Sequence, residues 1–181
     1  MDHLKGNNVF PKFTLVLGGA ASGKSLFAEQ LVGRFGKKRI YLATSQIFDD
    51  EMRTKINRHL DQRGTNWTTI EEPLDLAPAL AGMTADQTCL LDCATMWLTN
   101  HMLAENDLET AQSDLISSLR ACPAHVVIVS NEVGHGIVPE NALSRQFREA
   151  QGRLNIALAA EADLAVLVTA GLPLVLKGTL P

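Results

Sequence analysis

The sequence predicts one α/β domain, a mostly parallel sheet covered by helices on both faces. Short apolar runs (FTLVL at 13–17, RIYLA at 39–43, CLLDC at 89–93, HVVIVS at 125–130) alternate with stretches of helical periodicity. The first run leads into GGAASGKS, residues 18–25, a loop too rich in Gly, Ala and Ser to pack a core. The length of 181 residues, 46% hydrophobic and 20% charged, suits a single domain with a substantial core.

Each element has its own signal. FTLVL reads as a short buried strand, and Ser22 to Arg34 as the helix after the loop, with Leu26, Phe27, Gln30 and Leu31 at helical spacing. Gly33 and Gly36 break that helix, and RIYLA is the second strand. Asp49 or Asp50 can cap a helix running to about Gln62, with Met52, Ile56 and Leu60 four apart on one face. Trp67 to Ile70 is a weak strand and Leu74 to Leu80 a short helix. CLLDC is a strand ending in an acid, followed by helical patterns around Met96 to Ala104 and Leu108 to Ala121. HVVIVS, the loop NEVGHGIVPEN and a helix from Ala142 to about Ala160 come next. The tail LAVLVTAGLPLVLKG reads as two strands around Ala170-Gly171-Leu172-Pro173, a terminal hairpin. The domain spans 13–181, and residues 1–12 form an N-terminal extension with no assigned role.

A formal net charge of -4 argues against a nucleic-acid partner, which usually shows a basic surplus. No apolar run is long enough to span a bilayer, and Met1 to Asn8 lacks the apolar core of a signal peptide. Three cysteines, Cys89, Cys93 and Cys122, form no closed disulfide set and lack a second pair at zinc-site spacing. The expectation is buried thiols in a cytoplasmic protein with no stable membrane insertion.

The loop holds the strongest chemical signal. Gly18, four residues, Gly23, Lys24 and Ser25 fit the phosphate-binding pattern in full, between a strand and a helix as that pattern requires. Backbone N–H groups of Gly18, Gly19, Ala20, Ala21, Ser22 and Gly23 can turn toward phosphate oxygens, assisted by the helix N-terminus. Lys24 can reach the β- and γ-phosphates, and Ser25 can bind Mg²⁺. Asp92, closing an apolar strand, is the candidate second acid on the magnesium side; a turn or cap is the alternative.

A second constellation lies on the helix after RIYLA. Lys55, His59 and Arg63 stack four apart, with His59 at the border of the basic and apolar stripes. Neighbouring cations would keep the imidazole neutral and nucleophilic, suited to a covalent intermediate. Helix physics alone favours the plainer alternative, a solvated basic face. His3, His101, His125 and His135 have no comparable setting. Asn131 and Glu132 follow a strand end, where they either position an acceptor or cap a turn. Arg145, Arg148 and Arg153 on the next helix either contact phosphate or are simply solvated, and the second is expected.

Taken in order, GGAASGKS, YLATSQIFDDEM, the helix ending RHLDQR before Asn66-Trp67, LLDCATMWLTN, SNEVGHGIVPEN and GLPLVLKG resemble one family from about Phe13 to Gly178. That family is the bifunctional adenosylcobinamide kinase / adenosylcobinamide-phosphate guanylyltransferase of cobalamin biosynthesis. The resemblance implies a RecA-like P-loop NTPase fold and a homotrimer. It also implies two reactions. Adenosylcobinamide is phosphorylated with ATP or GTP, then GMP passes from GTP to adenosylcobinamide phosphate through a guanylylated histidine. The matching histidine is His59. Family nucleotide contacts fall on the phosphate loop through Ser25, on Ala43, Thr44 and Ser45, on Leu60, Asp61, Gln62 and Arg63, on Glu71 and on Asp92. Two departures stand out: Arg58 replaces the first of a histidine pair, and Arg63-Gly64 stands where Arg-Pro is common. The competing readings are a P-loop kinase of another small alcohol and a nucleotide-gated binding module.

Overall fold

The computed structural model describes residues 10–45 and 66–181. The expected helix between Asp49 and Gln62 lies outside them. In chain order the described elements are β1 (Phe13–Gly18), α1 (Lys24–Arg34), β2 (Lys38–Ala43), β3 (Trp67–Glu71), α2 (Ala77–Ala81) and β4 (Gln87–Asp92). Then follow α3 (Ala94–Leu103), α4 (Leu108–Ala121), β5 (His125–Asn131), α5 (Ala142–Glu161), β6 (Leu164–Thr169) and β7 (Leu172–Lys177). The strands make one sheet in the order β3-β2-β4-β5-β1-β6-β7, parallel except where β7 returns along β6.

Strand side chains alternate between two cores, as the period-2 geometry requires. Leu15, Leu42, Leu91 and Ile128 face α2 to α5 and pack with Leu80, Trp97, Leu115, Leu119, Leu154 and Leu158. Val16, Tyr41, Leu90, Val127, Val129 and Val166 face the other way, onto Ala28, Leu31, Val32 and Phe35. The helices supply the matching stripes, Leu115 and Leu119 on α4 and Ala150, Leu154 and Leu158 on α5, each four apart. Asp107 and Asn141 cap these helices by accepting from Thr110 N and Ser144 N, both at 2.7 Å. Cys89 and Cys122 are buried in the core, where desolvation raises both thiols.

Boundaries moved where local hydrogen bonds compete with helix. The helix expected from Ser22 begins at Lys24, because Gly23 takes a left-handed φ of 92°. The short helix expected at Leu74 starts at Ala77, since Glu72 Oε1 accepts from Leu74 N and Asp75 N, and Asp75 Oδ1 accepts from Ala77 N. The terminal hairpin is borne out: Ala170 (φ 52°) and Gly171 (φ 77°) form a two-residue turn whose positive angles suit the twist of paired strands. Phe10 stacks on Phe35 with ring centroids 4.6 Å apart, so this part of the extension packs on the domain. No helix among the described residues is long and apolar enough to cross a membrane.

Candidate nucleotide site

Parallel strands end together, so the topology collects Gly18, Ala43, Glu71, Asp92 and Asn131 at one edge of the sheet. Gly18 is the register partner of Asn131, and Ala43 pairs with Asp92 on one side and Glu71 on the other. The crevice outside these carboxyl ends is where open α/β sheets bind ligands.

The phosphate loop is held at close quarters. A Cβ on Gly18 would sit 2.3 Å from Ser22 Oγ and 2.8 Å from Val168 O, so only glycine fits. The β6–β7 turn braces the loop from one side: Gly171 N donates to Ser22 O at 2.8 Å, and a Cβ on Gly23 would lie 3.1 Å from Gly171 Cα. Lys24 Nζ donates to Gly19 O at 3.0 Å, across the mouth of the loop. Ser22 Oγ is buried and has no hydrogen-bond partner among the described residues.

Asp92 is steered from the neighbouring strand, because Tyr41 donates its hydroxyl to Asp92 Oδ2 at 2.9 Å. The peptide from Asp92 to Cys93 is cis. Cys93 Sγ then accepts from Met96 N at 3.4 Å and caps α3. Burial and, after it, the Asp92 charge push this thiol up to about 12, while the Lys24 charge pulls the other way.

Thr44 latches β2 to β4. Its Oγ1 donates to Cys93 O at 2.7 Å and accepts from Cys93 N at 2.9 Å, and its own N donates to Asp92 O at 3.2 Å. Asn100 Nδ2 closes the latch by donating to Thr44 O at 2.8 Å and Pro73 O at 2.9 Å. With its polar atoms engaged inside the fold, Thr44 sets the positions of Ala43 and half-buried Ser45. Glu71 is exposed at the end of β3.

A buried polar cluster anchors the end of β5. Ser130 Oγ donates to Asn155 Oδ1 at 2.7 Å, and Gln151 Nε2 donates to both at 3.0 Å. Asn155 Nδ2 reaches Asn131 O at 3.0 Å, and Asn131 N donates to Thr95 Oγ1 at 2.8 Å. Arg145 is exposed and Arg148 half-buried, and both also bond the loop: Arg145 Nη1 donates to Pro139 O and Glu140 O, and Arg148 Nη1 to Gly136 O and Ile137 O. They staple the loop after β5 to α5, each through one Nη1 shared between two carbonyls. Arg153 makes only a 3.7 Å contact with Glu149 at the surface.

The fold thus brings the phosphate loop, Lys24, Ser25, Ala43, Thr44, Ser45, Glu71 and Asp92 to one edge. His59, Leu60, Asp61, Gln62 and Arg63 lie outside the described residues, as does Lys55. Sequence reasoning missed Tyr41, Asn100, Gln151, Asn155 and Gly171. A signal existed for three of them: Asn100, Gln151 and Asn155 are polar residues on core-facing helical positions, which a protein keeps only when they are hydrogen-bonded.

The sequence model of the family described as cobinamide kinase / cobinamide phosphate guanyltransferase matches residues 14–176. The chain is similar to the bifunctional adenosylcobalamin biosynthesis protein CobU of Salmonella typhimurium, 45% identical over 90% of this chain and 98% of that protein. It is also similar to the bifunctional adenosylcobalamin biosynthesis protein CobP of Pseudomonas aeruginosa, 41% identical over 91% of this chain and 96% of that one. Among solved structures, the RadB recombinase superposes with a TM-score of 0.51 at 18% identity, over 87% of this chain and 74% of that chain. The flagellar accessory protein FlaH of Methanocaldococcus jannaschii does so with 0.50 at 11%, over 92% and 78%. These two likenesses concern the fold alone, and they agree with the expected RecA-like arrangement.

Proposed function

The chain belongs to the cobinamide kinase / cobinamide phosphate guanyltransferase family, and from that premise we propose how its residues divide the two reactions. The enzyme first phosphorylates the hydroxyl of the aminopropanol arm of adenosylcobinamide with ATP or GTP. It then transfers GMP from GTP to that phosphate, giving adenosylcobinamide-GDP and pyrophosphate. The observation that carries the assignment is the shared sheet edge: Gly18 at the end of β1 and Asp92 at the end of β4 flank the end of β5, pairing with Asn131 and Val129.

In the kinase step the loop N–H groups and the N-terminus of α1 hold the phosphates, and Lys24 offsets charge moving toward the β–γ bridge. Ser25, in the first turn of α1, and Asp92, at the end of β4, offer a hydroxyl and a carboxylate. This oxygen-only donor set fits Mg²⁺. Bound there, the ion would neutralise phosphate charge and orient the nucleotide. Tyr41 fixes the direction in which Asp92 presents its carboxylate.

Guanylyl transfer attacks the α-phosphorus instead, so the nucleotide must present a different atom. His59 is our nucleophile for that step. Lys55 and Arg63, each four positions away in the sequence, would disfavour its protonated form. Ala43, Thr44, Ser45, Glu71 and the residues from Leu60 to Arg63 hold the nucleoside, with the Thr44 latch positioning Ala43 and Ser45. Storing GMP on His59 after pyrophosphate leaves would separate the two chemistries in time.

A homotrimer working in the cytoplasm completes the reading. Edge strand β7 supports association, since Leu172, Leu174 and Leu176 are all more than half exposed along it. Incubation with α-labelled GTP and Mg²⁺ tests the central assignment. Label should remain on denatured protein and move to cobinamide phosphate when that acceptor is added. A protein that phosphorylates cobinamide but never retains label would defeat the covalent route.

A further inference from the structure

We propose that Glu132 is the catalytic residue that takes the proton from the acceptor hydroxyl in the kinase step, and that it has no part in guanylyl transfer. The inference rests on the two-reaction reading above and adds to it a residue and a division of labour.

The placement comes from register. β5 lies between β1, which ends in the phosphate loop, and β4, which ends in Asp92. Asp92 pairs with Val129 and Gly18 with Asn131, so Glu132 is the first residue beyond both partners. Its backbone N donates to Gly18 O at 3.1 Å, which fixes it against the first residue of the loop. The crevice between the loop and Asp92 is where a γ-phosphate and its acceptor must meet.

The carboxylate is preorganised. Gly134 N donates to Glu132 Oε1 at 2.5 Å, and no further hydrogen bond to this carboxylate is found among the described residues. We assign Oε2 to the acceptor hydroxyl. The segment on either side is clamped, through Asn131 to Thr95 and Asn155 before it and through Arg148 to Gly136 and Ile137 after it. Beside it the buried Asn131 Oδ1 has no partner among the described residues, a second acceptor at the same strand end. Capping a two-residue turn would not require so much support on both flanks.

The chemistry separates the steps. In phosphorylation the hydroxyl oxygen bonds to the γ-phosphorus. The bond from that phosphorus to the β–γ bridging oxygen breaks, its electron pair leaving on the nucleoside diphosphate. The hydroxyl proton passes to Glu132 Oε2 and from there to water. In guanylyl transfer the acceptor is a phosphate monoester, already anionic at neutral pH, so no base is needed.

The test compares both steps in Glu132→Gln, Glu132→Asp and Gly134→Ala. A positioned base contributes about 10²- to 10⁴-fold, so Glu132→Gln should lower kinase kcat at least about a hundredfold with little change in nucleotide KM. Starting from cobinamide phosphate, the same variant should form GDP-cobinamide within about threefold of wild type, which also shows that it is folded. Glu132→Asp should recover part of the kinase rate. A Cβ at Gly134 would lie 2.8 Å from Glu132 Oε1, so Gly134→Ala displaces the carboxylate and should slow the kinase step alone. Kinase kcat within threefold of wild type in Glu132→Gln, or an equal fall in both steps across all three variants, overturns the proposal. Failure of the wild-type protein to phosphorylate cobinamide would instead overturn the reading beneath it.

Discussion

Tyr41 donates its hydroxyl to Asp92 Oδ2 across 2.9 Å, joining the middle of β2 to the last residue of β4. Tyr41 is otherwise buried on the α1 face of the sheet, edge-on to Trp67 with centroids 6.4 Å apart. Its apolar body therefore belongs to the core and its polar tip to the site. Tyr41→Phe should cost about 0.5 to 1.5 kcal/mol of stability and raise the Mg²⁺ concentration needed for half-maximal activity. Asp92→Asn should raise that requirement further, with little loss of nucleotide affinity, because the amide keeps shape and loses charge. Superimposable Mg²⁺ titrations for wild type and both variants would make the pair structural only.

Lys24→Ala is expected to weaken both reactions, since one loop serves the γ-phosphate chemistry and the placement of GTP. Loss of a charge-assisted contact costs about 1.5 to 3 kcal/mol, or roughly ten- to a hundredfold. Either activity remaining within twofold of wild type would count against a shared loop.

His59→Ala should part the reactions in the opposite sense to Glu132→Gln. Phosphoryl transfer needs no imidazole, so kinase turnover persists while GMP transfer collapses. The wild-type adduct should be stable in base and lost in acid, as a phosphoramidate is. Protein-bound GMP still accumulating in the alanine variant would rule out His59.

Asn100→Ala should be among the most damaging changes far from any ligand. It strips hydrogen bonds from Thr44 O and Pro73 O, and an unsatisfied buried group costs about 1 to 3 kcal/mol. A denaturation midpoint equal to that of wild type would mean that water replaces the amide.

Acid should loosen the start of β4. The Thr84 hydroxyl, and after it Lys38, hold the exposed Asp86 carboxyl down from 3.8 to about 2. A depressed carboxyl stabilises the fold above its unfolded value, and that contribution fades as pH falls toward the folded one. The gap in urea midpoint between wild type and Asp86→Asn should therefore be full near pH 7 and shrink between about pH 4 and 2. A gap that holds constant across that range would show that the carboxylate charge contributes nothing.

Much of the molecule was legible in one dimension because its signals are local. Alternating apolar runs, Gly23 before Lys24, and Ala170-Gly171 between two strands each act within a few residues, where steric and hydrogen-bond preferences need no distant partner. The whole phosphate loop and Asp92 could be read that way, as could helix α4 to its last residue. What only the tertiary structure decided depends on strand order. Nothing local says that β5 lies between β1 and β4, so nothing local sets Glu132 beside Gly18, or Tyr41 beneath Asp92. The loop contacts of Arg145 and Arg148 were equally illegible: their partners are carbonyls 5 to 12 residues earlier, brought to α5 only once the loop folds back. Sequence sets which side chains a strand or helix offers, whereas long-range burial sets which of them meet, because a sheet is stabilised by pairing strands far apart in the chain.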